Sequence, residues 1–200
     1  MKVQPLALWW HRYGRGIFPM TTHAEQIPAY QTGTWTIDPV HSDVSFVVRH
    51  LGVTKVRGTF DHVEGTIVTH EDPLQSEVNA VIKTTSVNTR NDARDNHVRT
   101  ADFLDVESYP EMTFKSTGIR EKDGVYLIDG DLSLRGVTRP VTLETEIGGF
   151  APGPQEGTTV VGFSASTEIS RTDYGVTGGA AGAAVSDKIK ITLDIEAGRS

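Results

Sequence analysis

Lys188 to Glu196, KIKITLDIE, decides the fold class, because Ile189, Ile191, Leu193 and Ile195 alternate without a break with Lys190, Thr192, Asp194 and Glu196. A period of two is the mark of a strand that buries one face and wets the other. The same code recurs upstream. Thr159 to Ser170 sets Phe163, Ala165, Thr167 and Ile169 on one face, and Val141 to Phe150 alternates Val141, Leu143 and Ile147 with Thr142, Glu144 and Glu146. The Lys122-Asp123-Gly124 turn signal introduces Val125 to Leu134, whose inner face is read as Tyr126, Ile128, Leu132 and Leu134. Met112 to Ile119 offers Met112, Phe114 and Ser116 on one side, and the long run Ser76 to Val87 offers Val78, Ala80, Ile82 and Thr84. Asp43 to His50 places Val44, Phe46, Val48 and His50 together, while Gly33–Ile37, Val53–Phe60 and Val63–His70 follow at hairpin spacing. Roughly eight to ten antiparallel strands, with a last strand able to pair back to an early one, favour an all-β closed barrel over a two-sheet sandwich, since closure removes the edges. Strands of ~10 residues at ~3.3 Å per residue make a barrel about 30 Å tall.

One stretch breaks the pattern. NDARDNHVRTADFLDVESYPEMTF, from Asn91 to Phe114, reads as a short helical excursion between strands, with Asn91 or Asp92 as its cap. Phe103, Leu104 and Val106 form a small apolar knot, and Pro110 returns the chain to extended structure. This segment is expected to cover or brace whatever the barrel holds. Gly175 to Val185 is so rich in Gly and Ala that it reads as a mobile loop, and it carries no Gly-x-x-x-x-Gly-Lys phosphate cradle.

Two hundred residues suit one domain, read as residues 31–200, preceded by an N-terminal extension, residues 1–30. Nineteen Lys and Arg against 26 Asp and Glu give a net charge of −7, which argues against a general nucleic-acid binder. The absence of Cys excludes disulfides, thiolate nucleophiles and Cys-ligated zinc. No apolar run approaches the ~20 residues of a membrane helix. The apolar run Leu6 to Trp10 is shorter than the core of a secretory signal, so the reading is a soluble, cytoplasmic protein. Met20 offers an alternative start that would make residues 1–19 an upstream extension.

Seven histidines raise the question of a metal, but neither His-Glu-x-x-His nor His-x-His occurs. His41, Asp43 and His50 lie close in sequence; His97 and Asp102 are five apart and fit one helical face poorly. No metal is expected. His41, Ser42 and Asp43 are adjacent, so a strand would point them to opposite faces and deny them a nucleophilic triad. Asp102 and Asp105, spaced to share a helical face, read as solvated acids, and Arg94 and Asp95 as an ion pair. No catalytic residue is assigned.

Several ordered pieces carry a resemblance. They are Trp35-x-Ile37-Asp38-Pro39-x-His41-Ser42, Phe46 with His50-Leu51-Gly52, and Val56-Arg57-Gly58-x-Phe60. Arg94-Asp95-x-His97 follows with Asp102-Phe103-Leu104-Asp105, then Tyr109-Pro110-Glu111-x-Thr113-Phe114-x-Ser116. Gly130-Asp131-Leu132-x-Leu134-x-Gly136-Val137-Thr138-Arg139-Pro140-Val141 and Arg171-x-Asp173-Tyr174-Gly175 complete the series. In number and order these pieces resemble the YceI-like, or polyisoprenoid-binding, family across roughly residues 33–197. Val98 and Tyr174 depart from its commoner Leu and Phe while keeping bulk.

The resemblance implies a lipocalin-like antiparallel barrel of about eight strands that holds a long amphiphile in its lumen. Polyisoprenoids, isoprenoid quinones and fatty amides are the ligand class, and no cofactor is implied. Many relatives are periplasmic, with a signal peptide that this chain reads as lacking, and a homodimer is a further implication. The expected function is non-enzymatic binding, storage or transport of such a lipid, with transient membrane contact for exchange. The tail is expected against Phe46, Val48, His50, Ile82, Thr84, Met112 and Phe114, with Ser116, Ile128, Leu132, Phe163, Ala165, Ile191 and Leu193 completing the inner rows. Phe103 and Leu104 approach it from the excursion, and Arg94, His97 and Asp102 act as polar contacts of that lid. An enzyme acting on such a lipid and an interaction module with a filled core are the rival readings.

Overall fold

The computed structural model of the chain describes residues 23–199, so the alternative start at Met20 and the run Leu6 to Trp10 lie outside the described residues. The chain enters through α1 (His23–Gln26) and β1 (Gly33–Ile37). Asp38-Pro39 then interrupts the ladder, because proline lacks an amide proton to donate, and extended structure resumes as β2 (Asp43–His50). The corner stays knitted to the last strand. The amide of Asp38 donates to the carbonyl of Glu196 at 2.9 Å, and the Ser42 hydroxyl accepts from the Glu196 amide at 3.1 Å.

β3 (Thr54–Phe60) and β4 (Val63–Thr69) are likewise two halves of one path, broken at Asp61-His62. β5 (Glu77–Lys83) continues into the two-residue β6 (Val87–Asn88) through a 3-10 turn at Thr84–Ser86. The single long strand read over Ser76 to Val87 is therefore corrected. Thr84 is wholly buried and turns its hydroxyl to the Tyr109 carbonyl at 2.7 Å, while its amide donates to the Pro110 carbonyl at 3.0 Å. Two such bonds hold the chain off the ladder at that point.

Five unbroken strands follow: β7 (Glu111–Lys122), β8 (Val125–Leu134), β9 (Val137–Pro152), β10 (Thr159–Ser170) and β11 (Lys188–Arg199). β11 pairs with both β1, at Thr36↔Gly198 and Ile37↔Ala197, and β2, from Lys190↔Val47 to Asp194↔Asp43. With β1–β2, β3–β4 and β5–β6 each counted as one broken path, the eleven segments close an eight-position antiparallel barrel. The barrel expected from the alternation is the one observed. Inward rows pack as one cluster including Val44, Ile82, Met112, Phe114, Leu132 and Leu143.

One end is plugged. Trp35 is fully buried, meets Phe150 edge-on at 5.0 Å, and donates from Nε1 to the Thr69 hydroxyl at 2.8 Å. The Arg199 guanidinium lies 4.5 Å from the Trp35 ring centre. Ile27 is buried in the same plug, the Pro28 carbonyl accepts from the Phe150 amide at 3.1 Å, and the Tyr30 hydroxyl donates to the His70 carbonyl at 2.6 Å. A boundary drawn at residue 30 thus falls inside this cap.

Candidate functional site

The opposite end of the barrel is hollow. A cavity of about 520 Å³ is walled by Val44, Phe46, Val48 and His50 of β2, Thr54, Val56 and Phe60 of β3, and Ile189 and Ile191 of β11. A smaller one of about 120 Å³ lies deeper, against Ile82, Phe114, Ile128, Leu132, Phe163, Ala165 and Leu193. Val44, Met112 and Ile191 line both. Among the described residues, the deeper wall is apolar apart from Thr145 and Thr167, and neither chamber is lined by a carboxylate.

Glycines shape these walls by what they leave room for. A Cβ on Gly58 would stand 2.4 Å from the Phe46 ring, and one on Gly130 would stand 2.4 Å from the Phe114 ring. The Phe114 ring therefore occupies the space over Gly130.

The excursion forms one cover. α2 (Asp92–Arg99) starts at Asn91, whose side chain accepts from the Arg94 amide at 2.9 Å. The expected ion pair of Arg94 with Asp95 is not direct, because Thr89 stands between them. The Thr89 hydroxyl donates to Asp95 Oδ1 at 2.5 Å and accepts from Arg94 Nε at 2.7 Å, while Arg94 Nη2 donates to the Thr89 carbonyl at 2.8 Å. Asp95 is buried and also takes the Thr89 amide at 2.8 Å. Arg99 ties the helix to the broken strand through the carbonyls of Thr85 at 3.0 Å and Val87 at 2.8 Å.

His97 and Asp102 do meet, at 3.0 Å between Nε2 and Oδ2. Their spacing fits no helical face, but α2 stops at Arg99 and the chain folds back, with the amides of Phe103 and Asp105 both donating to the Thr100 carbonyl. Asp105 sits past the helix at φ 50°, so it shares no helical face with Asp102. The His97 ring meets Phe103 edge-on at 5.2 Å.

The second cover was not legible. Residues 175–185, expected as a mobile loop, fold around Arg171; a 3-10 turn at Arg171–Tyr174 leads into the segment, which carries another at Gly179–Ala184. The buried Arg171 guanidinium donates to the carbonyls of Val176 at 2.6 Å, Thr177 at 2.8 Å, Gly182 at 2.9 Å, and Val185 and Ser186 at 3.1 Å. Ala181, Ala184 and Val185 face the larger cavity. The two covers are joined by the Gly178 amide, which donates to the Asp102 carbonyl at 2.7 Å, and by Arg135, which donates to the carbonyls of Gly175 and Ala101.

Against this geometry, Phe46, Val48, His50, Phe103 and Leu104 fall on the outer chamber with Arg94 and His97; Met112 and Ile191 fall on both. Ile82, Phe114, Ile128, Leu132, Phe163, Ala165 and Leu193 fall on the inner one. Thr84, Ser116 and Asp102 line neither. Ser116 accepts from the Val78 amide at 2.8 Å beside an irregularity in the β7–β8 register.

Among the described residues, the His and carboxylate side chains that converge as a group of three are Asp38, His41 and Glu196, at the β1–β2 corner. His41 Nδ1 lies 2.8 Å from Asp38 Oδ2 and 3.7 Å from Glu196 Oε1. The hydrogen bond from His41 holds Asp38 below its ordinary pKa and raises that of His41. This reads as an ion-paired corner that fastens the break in the strand.

Comparison with known proteins gives the arrangement its context. Residues 35–197 match the family model described as the YceI-like domain. The chain is 44% identical over 138 residues to protein YceI of Escherichia coli O6:H1, covering 68% of this chain and 71% of that protein. Its fold superposes on the crystal structure of the Campylobacter jejuni YCEI protein with a TM-score of 0.67 at 30% identity, covering 76% and 90% of the two chains. A polyisoprenoid binding domain from Saccharophagus degradans, 17% identical with a TM-score of 0.61, covers 84% of this chain and 98% of that one and shares the fold. A two-chambered barrel with these motifs and these relatives belongs to the YceI-like domain family.

Proposed function

We propose that this protein is a non-enzymatic carrier of one long-chain amphiphile of the polyisoprenoid or isoprenoid-quinone class. The observation that carries the reading is the pair of successive chambers. The inner is almost wholly apolar and is plugged beyond by Trp35 and Phe150, while the outer adds His50, Arg94 and His97 near the covers. The tail occupies the inner chamber and the head group stays in the outer. A cavity of about 520 Å³ is within the usual range for ligand sites, roughly 300–1,000 Å³. At about 0.8 kcal/mol per buried CH₂, each isoprene unit supplies a few kcal/mol before ordering costs, so a tail of several units needs no charged anchor.

Arg94 spends Nε and Nη2 on Thr89, which leaves Nη1 as a donor for a head-group oxygen. The enzyme reading lacks a His–carboxylate pair on the lining: among the described residues the outer chamber carries His50 and His97 but no carboxylate lines either chamber. The filled-core reading is disfavoured by the volumes themselves.

Organic extraction of the purified protein followed by mass spectrometry tests the proposal. A stoichiometric long-chain lipid is expected, and Phe114→Asp, which sets a charge against the inner chamber, should reduce it at least tenfold in a variant that still melts cooperatively. A lipid-free extract, or unchanged lipid in the folded variant, would refute the carrier reading.

A further inference from the structure

The β2–β3 hairpin ends beside the mouth of the outer chamber, and its tip is built against the rules for a hairpin turn. The Val53 amide donates to the His50 carbonyl at 3.0 Å across a turn whose central residues, Leu51 and Gly52, both have positive φ, 52° and 71°. Asn or Asp is the residue such a turn favours before Gly, and Leu carries a steric cost there. Leu51 is nonetheless 66% exposed and Val53 78% exposed. The tip also belongs to the mouth. The Leu51 amide donates to the Ala184 carbonyl at 2.8 Å, His50 bridges to Val185, and His50, Thr54, Ala184 and Val185 all line the outer chamber.

Charge collects around this tip. Val48, His50, Thr54, Val56, Ile189 and Ile191 face the chamber, so the intervening Arg49, Lys55, Arg57, Lys188 and Lys190 face outward, and all five are exposed. Arg49 stands directly opposite Lys55, a like-charge pair that costs stability across a ladder. Carboxylates on this outer face include Glu168, opposite Lys190, the pair Asp43 and Asp194 further along β11, and Asp61 at the end of β3 away from the tip, bonded to Thr59 at 2.7 Å. Five cations therefore crowd one end of a chain whose net charge is −7. Two exposed aliphatic side chains within a basic collar match the surface of an anionic bilayer, where apolar groups enter the head-group layer and cations meet phosphates.

We propose that this tip docks the protein on anionic membranes, with Leu51 and Val53 inserted and the outer chamber turned to the bilayer. Docking deepens the carrier reading by naming the surface from which cargo is exchanged, but it is measurable without any cargo. The full chain is tested by co-sedimentation with vesicles of phosphatidylcholine alone and of phosphatidylcholine with phosphatidylglycerol.

Binding is expected on the mixed vesicles and to weaken as salt rises. Leu51→Asn combined with Val53→Thr suits the turn and the strand, so the variant should fold at least as well and bind at least tenfold more weakly. Each surface cation contributes roughly fivefold near an anionic surface, so R49Q/K55Q/R57Q should lose about a hundredfold on mixed vesicles. Equal binding by the folded tip variant overturns the proposal, as does an absence of wild-type binding. A tip variant that shifts a dimer to a monomer, with no vesicle binding by either form, assigns the surface to a second copy instead and also overturns it. Wild-type protein that sediments with mixed vesicles but yields no lipid on extraction keeps the docking surface and removes the carrier reading.

Discussion

Gly130 shows what single residues contribute to the lumen and why the sequence alone misplaces some of them. Alternation assigns Gly130 to the inner face of β8, which is correct, but the ring of Phe114 from β7 lies over it. A side chain there would stand 2.4 and 2.5 Å from two ring carbons and 2.7 Å from the Lys115 carbonyl oxygen. Gly130→Ala should accordingly lower stability by about 2–3 kcal/mol, read as a shift in the urea midpoint, as overpacking of a close-packed wall does. Adding Phe114→Leu should restore part of that loss but not all of it, since the carbonyl contact remains. A full restoration would mean the backbone contact relaxes freely. Thr84 and Ser116 teach the same lesson in polar form. Their place on an inward row is legible, but the Tyr109 carbonyl and the Val78 amide that claim their hydroxyls are set by pairings far along the chain.

At the scale of elements, the two covers differ in how much of them local chemistry reveals. The start of α2 is legible because Asn91 caps it through a bond three residues away, to the Arg94 amide. The contact of His97 with Asp102 is not, since it depends on where the helix ends and how the chain reverses through Thr100. The Gly/Ala segment is less legible still. Its order comes from groups outside it, above all the Arg171 guanidinium and also that of Arg135, and its far end is held by Asp187, which accepts from the Thr172 hydroxyl at 2.6 Å and amide at 3.1 Å. Those bonds, the hydroxyl first, hold the Asp187 carboxyl below its ordinary value, about 3.9 in an unfolded chain. A depressed carboxylate contributes stability that is present above the unfolded value and is lost as pH falls through the folded one. Asp187→Asn keeps an acceptor but does not titrate, so below about pH 4 its melting temperature should fall less steeply than that of the wild type. Asp129, lowered by Arg120 and Thr142, titrates in both proteins and cancels from the comparison. Parallel acid limbs for the two proteins would show that the Asp187 latch carries no stability.

Across the whole molecule, the division into a plugged end and a hollow end follows from where the large side chains fall along rows that all read as inward-facing. Trp35, Tyr126 and Phe150 fill the end where β1 meets β11, whereas at the other end Val44, Val48, Val56 and Ile189, with the rings of Phe46 and Phe60 among them, surround open space. The closed barrel is legible from period two alone, because every strand reports its own inner face. The volume left inside is not, because it depends on how rings from neighbouring strands meet. This asymmetry fixes the direction in which a lipid lies and so predicts how its length is limited. Ala165 faces the inner chamber of about 120 Å³ beside Leu193, its register partner on β11. Ala165→Phe fills that chamber without touching the walls that Phe103, Arg94 and His97 give the outer one. The variant should keep its head-group contacts and lose room for the distal tail, so its extracted lipid should shift to shorter chains by about one isoprene unit or more. Each CH₂ excluded costs about 0.8 kcal/mol, which makes even one unit a change of several-hundredfold in preference. Mass spectrometry of extracts from the two proteins expressed side by side reads the shift, with thermal melting as the control for folding. An unchanged chain-length distribution in a folded Ala165→Phe protein would place the tail outside the inner chamber and reverse the orientation argued from the plug.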